Sequence, residues 1–326
     1  DSEPIDSHHG SFVHCPSTSS PGLMQWLGYF IGDGTAGRRG VRFKDSDKDT
    51  LTVYHALTTA HFNLTGRIVP IPQVRAWLLE INSVGLVAWL RANLLDRRRE
   101  FFDEIGMLPK DQLAAFLRGL FDAEGSAARQ AGQVALTMTD LELVRRVQLW
   151  LLRFGILSGL AFGAAAPHQR RMKPSLKILI TRRDALASFS SVIGFSSARK
   201  RAWLDQVMVA KREGFYLSSR AVPLRKSAIL QHLSAQDIPP AALRAFHGGE
   251  RFTDGKAGQL IKTLRGFPSA STMVKTLQRY LDADVRSQAI LSIRRVRAEG
   301  TTVYDLEVDG TENFFANGML SHNSRW

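Results

Sequence analysis

The chain has 326 residues, with 43 Lys and Arg against 30 Asp and Glu; the formal charge of +13 favours a polyanionic partner. A single cysteine, Cys15, excludes an internal disulfide, and no apolar run is long enough to suggest a membrane span. Without an apolar amino-terminal core of the kind that marks a secretory signal, the expectation is a soluble, cytoplasmic protein.

Residues 1–20 are rich in Ser, Pro and Gly and read as a linker; His8, His9, His14 and Cys15 lie there without the paired spacing of zinc ligands. Two later stretches share one unusual pattern, Trp-Leu-Gly-Tyr-Phe-Ile-Gly-Asp-Gly from Trp26 to Gly34 and Leu-Arg-Gly-Leu-Phe-Asp-Ala-Glu-Gly from Leu117 to Gly125. Each is an apolar helix with a glycine inside it, and each ends on one acid, Asp33 or Glu124, just ahead of another glycine. Interior glycine costs a helix about 1 kcal/mol against alanine, so Gly28 with Gly32, and Ala115 with Gly119 and Ala123, need an offsetting gain. Small residues four apart share a face, and such faces let two backbones approach closely. The spacing predicts two helices packed on each other, buried through Leu23, Leu27, Phe30 and Ile31 in one and Leu113, Phe116, Leu117 and Leu120 in the other. Ser20 with Pro21, and Asp111, read as start signals; Gly34 and Gly125 read as stops. The acids then meet at adjacent helix C-termini, where the dipole disfavours negative charge and a cation is welcome. Mg2+ takes a few carboxylates together with waters and substrate phosphates, an arrangement suited to phosphodiester cleavage.

Val41 to Leu51 reads as a strand leading into a polar helix start, and Val134 to Val144 repeats that order; Leu176 to Ile180 is a further strand and Ile193 to Lys200 a closing segment. Both acid-tipped segments resemble the signature helices of the LAGLIDADG homing endonucleases in their single-chain, two-repeat form. The resemblance covers about residues 22 to 212, with repeats over 21–109 and 110–212. It implies an α+β fold of two pseudo-two-fold repeats whose sheets form a saddle over a long, asymmetric double-stranded DNA target, cut by a monomer. It further implies that Asp33 and Glu124 ligate Mg2+ or Mn2+, with Lys44, Lys177 and Lys200 as supporting cations. Arg38, Arg39, Arg42 and Lys44 in the first repeat, and Arg170, Arg171, Lys173, Lys177, Arg182 and Arg183 in the second, lie in or around strands, where alternate side chains can face a groove.

Over 213–285, helix-like segments at Lys226 to Leu233, Pro240 to Phe246 and Ser271 to Leu281 alternate with turns; an accessory DNA-contacting domain and a packed spacer both stay open. Beyond it, Ala289 to Val296 and Thr302 to Val308 read as strands, and Asn313 to Asn323 as a turn-broken third. Their sequence resembles the carboxyl-terminal splicing region of inteins, through Tyr304-Asp305-Leu306, Asn313-Phe314-Phe315 and His322-Asn323 before Ser324. The resemblance implies a β-rich carboxyl-terminal piece of a Hint-type splicing domain over 286–323, with 324–326 the start of a host segment. In it Asn323 would cyclise, His322 would assist, Ser324 would be the acceptor nucleophile and Asp305 would tune it. Glu312 stands where that family often carries a histidine. No amino-terminal splicing region precedes Pro21, so the expected partner is an amino-terminal intein fragment. Two readings stay open: an intein-borne homing endonuclease, and a DNA-binding or splicing module whose nuclease is inactive.

Overall fold

The computed structural model describes residues 13–128, 130–162, 174–210, 224–235, 238–247, 252–283, 293–295, 300, 302, 313–316 and 319–322. The chain divides into two compact units, residues 1–212 and 213–326.

The first unit is one pattern used twice. Helix α1 (Pro21–Asp33) is followed by β1 (Gly34–Ala36), β2 (Gly40–Asp45), α2 (Lys48–Phe62), β3 (Arg67–Pro70), β4 (Trp77–Asn82), α3 (Val84–Leu90) with a π turn over Arg91–Leu95, and α4 (Arg98–Met107). The second pass gives α5 (Lys110–Glu124), β5 (Gly125–Ala128), β6 (Gln133–Met138), α6 (Leu141–Leu152), β7 (Gly159–Phe162), β8 (Leu176–Ile180), α7 (Arg183–Ser188) with a π turn over Phe189–Ile193, and α8 (Ala198–Ala210). Each repeat folds its four strands into an antiparallel sheet, in the orders β1-β2-β4-β3 and β5-β6-β8-β7.

Strand alternation sets the two faces of each sheet. Val41, Phe43, Leu79 and Ile81 are buried under the first, and Val134, Leu136, Ile178 and Ile180 under the second. Arg42 and Lys44 lie exposed on the opposite face of the first sheet. Beneath the sheets a continuous apolar core runs through both repeats, with Trp26, Tyr29, Phe43, Phe62, Phe116 and Phe121 among its largest buried side chains.

Several expectations need correction. The end of the segment read as a linker is tied down: Val13 is buried against Gly85, and the His14 N–H donates to Phe62 O at 3.1 Å. Ser20 does cap α1, its Oγ accepting from the Leu23 N–H, but Asp111 does not cap α5, whose N-cap is Pro109 with no side-chain bond. Gly34 and Gly125 do stop their helices as expected, in extended backbone that leads straight into strands.

The second unit has α9 (Lys226–Ser234), α10 (Pro240–His247), α11 (Asp254–Leu264) and α12 (Ser271–Asp282), then a hairpin of β9 (Asn313–Ala316) and β10 (Met319–His322). Helix α11 has no counterpart among the sequence expectations, because Gly255 and Gly258 dilute its helical signal; a Thr253 cap and the burial of Ala257, Leu260, Ile261 and Leu264 secure it. The segment expected as one broken strand is two paired ones. Of the two strands expected upstream, only 293–295 and 302 are described, and they lie in neither helix nor strand.

Candidate metal and DNA site

The close crossing of α1 and α5 builds the site. A Cβ at Gly28 would fall on the Phe116 carbonyl oxygen, and a Cβ at Gly119 on the Gln25 carbonyl oxygen, so each helix presses its glycine onto the other's backbone. One turn further on, Gly32 lies against Ala123, where an added Cβ would stand 3.3 Å from Cγ of Glu124. This approach carries the last residues of both helices, Asp33 and Glu124, to one place.

Each acid is followed by a strand only because a glycine comes next. At Gly34 a Cβ would lie 2.5 Å from Phe30 O, and at Gly125 one would overlap Phe121 O; any other residue would force the chain away from the helix end. Both carboxyl groups are held above the usual carboxylate range. For Asp33 the main cause is burial, followed by repulsion from Asp45 and opposed by Lys44 and Lys200. For Glu124 it is burial, then repulsion from Asp33, opposed by Lys200. The Asp33 charge therefore acts directly on Glu124.

Hard carboxylate oxygens whose proton affinity is raised by burial and by neighbouring acids suit a small divalent cation. Among the described residues no three or more His, Cys, Asp or Glu side chains gather as a metal cage. The donor set thus fits an ion that keeps water and substrate oxygens in its shell.

The three lysines expected here differ. Lys44, exposed on β2, acts on Asp33. Lys177 occupies the matching rung of the other sheet: Gly34 pairs with Phe43 and Gly125 with Leu136, so Lys44 corresponds to Thr137, and Thr137 pairs with Lys177 on β8. Lys177 is not among the charges acting on either acid. Lys200 is buried, and its ammonium donates to the carbonyls of Phe121, Asp122 and Gly125, the last of these at 2.9 Å. An ammonium has three protons, and all three are used to close the C-terminus of α5. Lys200 is therefore held in place behind Glu124, and burial pulls its ammonium pKa below the usual lysine value.

Around this centre lie residues with no role in the sequence reading. Asp122 is wholly buried; its Oδ2 accepts from the Tyr54 hydroxyl at 2.6 Å and its Oδ1 from the Ser196 N–H at 2.8 Å. Burial pushes its carboxyl up despite those bonds. Its counterpart in the first repeat is the apolar Ile31, and that asymmetry was the available signal. Asp45, at the end of β2, accepts from Tyr29 Oη at 2.9 Å and faces Asp33 electrostatically.

The basic residues divide likewise. Arg38 and Arg39 are exposed in the turn between β1 and β2. Arg42 is exposed on β2, where Glu80 bridges it at 3.3 Å and Arg67 at 3.4 Å. Arg182 and Arg183 lie at the start of α7 rather than on a strand, and Arg182 turns to Asp184 at 2.6 Å. Arg170, Arg171 and Lys173 lie outside the described residues, as do Asp305, Asn323 and Ser324; His322 is placed in β10 by its backbone alone.

Residues 111–194 match the family model of the LAGLIDADG-like domain. The chain carries a LAGLIDADG-like domain. With the pattern repeated in the first half, the first unit has the α+β LAGLIDADG-type fold, helices with two small antiparallel sheets. Curated relatives extend beyond the matched region. The glutamine–fructose-6-phosphate aminotransferase (isomerizing) of Methanocaldococcus jannaschii is 32% identical over 330 residues, which take in 98% of this chain and 29% of that protein. The replicative DNA helicase DnaB of Rhodothermus marinus is 26% identical, over 95% of this chain and 35% of its own length. Elongation factor 2 of Methanopyrus kandleri is 26% identical, over 68% and 17%. The chain thus spans well under two thirds of each of these relatives. Among solved structures, the homing endonuclease I-DmoI in complex with DNA and calcium gives a TM-score of 0.42 at 19% identity, over 57% of this chain and 97% of that one. Full-length DUF199/WhiA from Thermatoga maritima gives 0.43 at 14%, over 82% and 92%.

Proposed function

We propose that this LAGLIDADG-bearing chain is a homing endonuclease that makes a site-specific, metal-dependent double-strand break in DNA, and that it travels as part of an intein. The observation that carries the nuclease reading is the reciprocal Gly28 and Gly119 crossing, which delivers Asp33 and Glu124 side by side at two helix ends. A bound Mg2+ or Mn2+ supplies Lewis acidity and an activated water there. The chain's own part is to hold and orient. Asp33 and Glu124 provide the anionic oxygens, Lys44 and Lys200 moderate their charge, and the basic outer face of the first sheet holds phosphates against the site. One acid per repeat assigns one carboxylate to each strand of a duplex.

The relatives support the mobile-element half of the proposal. An aminotransferase, a helicase and an elongation factor share no activity, yet most of this chain aligns with a part of each. A segment common to proteins that differ in everything else behaves as an insertion. At the carboxyl end, the Asn323 side-chain amide nitrogen would attack its own main-chain carbonyl, forming a succinimide, breaking the bond to Ser324 and leaving the proton on the Ser324 amine. An amino-terminal splicing segment completes this chemistry by delivering the upstream host chain to the Ser324 hydroxyl.

Selection for cleavage on a randomised duplex library with Mg2+ tests the nuclease. Asp33→Asn or Glu124→Gln is expected to abolish double-strand cutting and to keep DNA binding; undiminished cutting by either variant, or none by the wild type, overturns the assignment. Mass spectrometry of the incubated chain tests the splicing end. Release of Ser324 to Trp326 with a succinimide at Asn323, blocked by Asn323→Ala, is the expected result.

A further inference from the structure

In the second unit, α9 to α12 enclose a core of their own, with Leu233, Leu243, Leu260, Leu264 and Leu277 buried. Helix α11 ends at Leu264, Arg265 to Phe267 turn the chain, and a 3-10 turn over Pro268–Ala270 runs directly into α12. The two helices are thus joined in sequence by residues 265–270, which include Gly266, and a helix presented behind another in this way is an element that can enter the major groove of DNA.

The two faces of α12 decide what that arrangement is for. Met273, Val274, Leu277, Tyr280 and Leu281 turn to the core, at the i, i+1, i+4, i+7, i+8 spacing of a single stripe. Ser271, Thr272, Lys275, Thr276 and Arg279 are exposed along the other side. From Ser271 to Arg279 every exposed group there is a hydroxyl or a cation. Exposed helices that serve only solubility interleave both signs at i, i+4, whereas here the first acid is Asp282 at the very end, held by Gln278 at 2.9 Å. Lys262 and Arg265, exposed at the end of α11, extend the same charge, and residues 254–282 hold five basic against two acidic side chains. Cationic side chains bond guanine edges, while Ser and Thr bond base edges or phosphates.

We propose that α12 is a DNA recognition helix, and that α11 and α12 read a second segment of the duplex besides the one held by the nuclease unit. This rests on the DNA-cleaving function for the identity of the target alone; α12 supplies sequence selectivity and no part of the cutting site.

The full chain, held in Ca2+ without Mg2+ or Mn2+, is used to select binders from a randomised duplex library, and the winners are footprinted. The wild type is expected to enrich a motif of two segments. Thr272→Ala/Lys275→Ala/Arg279→Ala is expected to lose one segment and its footprint and at least tenfold in affinity, with an unchanged melting curve. A second variant, Lys275→Gln, is expected to fold identically and move one base preference from guanine towards adenine, a change that a merely structural role would not produce. Retention of both segments at wild-type affinity by the triple variant overturns the proposal, and so does a wild-type motif of one segment. Failure of the wild type to enrich any sequence sinks the endonuclease reading as well; a wild-type motif of one segment sinks only the proposal for α12.

Discussion

Gly28 and Gly119 have little room to change. Each would set a methyl on a backbone carbonyl of the partner helix, and backbone cannot swing aside as a side chain can. Gly28→Ala or Gly119→Ala is expected to destabilise the first unit by about 2–3 kcal/mol in denaturant unfolding, despite alanine's better helix propensity. Gly258 in α11, with nothing within 4 Å of an added Cβ, is the control; Gly258→Ala should stabilise its unit by about 0.5–1 kcal/mol. The two acids make a different prediction. Their pKa values are raised on folding, so their contribution is fully present below the unfolded value of about 4 and is lost as pH climbs through the folded values. Thermal melts of metal-free protein should therefore show Asp33→Asn or Glu124→Gln raising the melting temperature at pH 7 and leaving it unchanged near pH 3. Mg2+ should stabilise the wild type at pH 7 more than either variant. The placement of Asp33 and Glu124 at two crossing helix ends was legible in the sequence because duplication doubled a signal that either helix alone would carry weakly. Asp122 was not: a buried acid needs a donor from afar, and Tyr54 and Ser196 reach it from 68 and 74 positions away in sequence.

Elements of the two repeats brace each other symmetrically. The start of α4 reaches the N-cap of α6, where Arg98 meets Asp140 at 2.9 Å. The segment entering α8 reaches the N-cap of α2, where Ser197 Oγ donates to Asp47 at 2.5 Å and Arg199 approaches at 3.8 Å. Asp47→Ala removes both a helix cap and this cross-repeat tie, and should cost about 1–2 kcal/mol in chemical unfolding. On the outer face of the first sheet, Glu80 holds Arg42 and Arg67. Glu80→Gln releases two cations towards phosphate and is expected to tighten DNA binding several-fold at low salt, measured by fluorescence anisotropy; weaker binding would place that face away from DNA. The inner and outer faces of β2 and β8 followed an alternation visible in Val41 to Asp45 and Leu176 to Ile180. The pairing of Arg42 with Glu80 did not, since register between β2 and β4 depends on the turns and the intervening helix.

Across the whole molecule the +13 charge favours a polyanionic partner, and under the proposed function non-specific DNA affinity should fall steeply with salt, by about a thousandfold or more between 50 and 200 mM if six or more phosphates are contacted. A shallow slope would confine contact to a few groups. The duplication, the two acid-tipped helices and their mutual approach were all written along the chain, because local composition and small-residue spacing are enough to specify them. Which charges are free to act was settled by folding alone. Lys44, Lys177 and Lys200 look alike in sequence, yet the fold exposes one beside Asp33, sets one a strand away, and buries the third with all its protons on the end of α5. A lysine's role depends on which carbonyls and carboxylates surround it, and those come from residues up to 79 positions away.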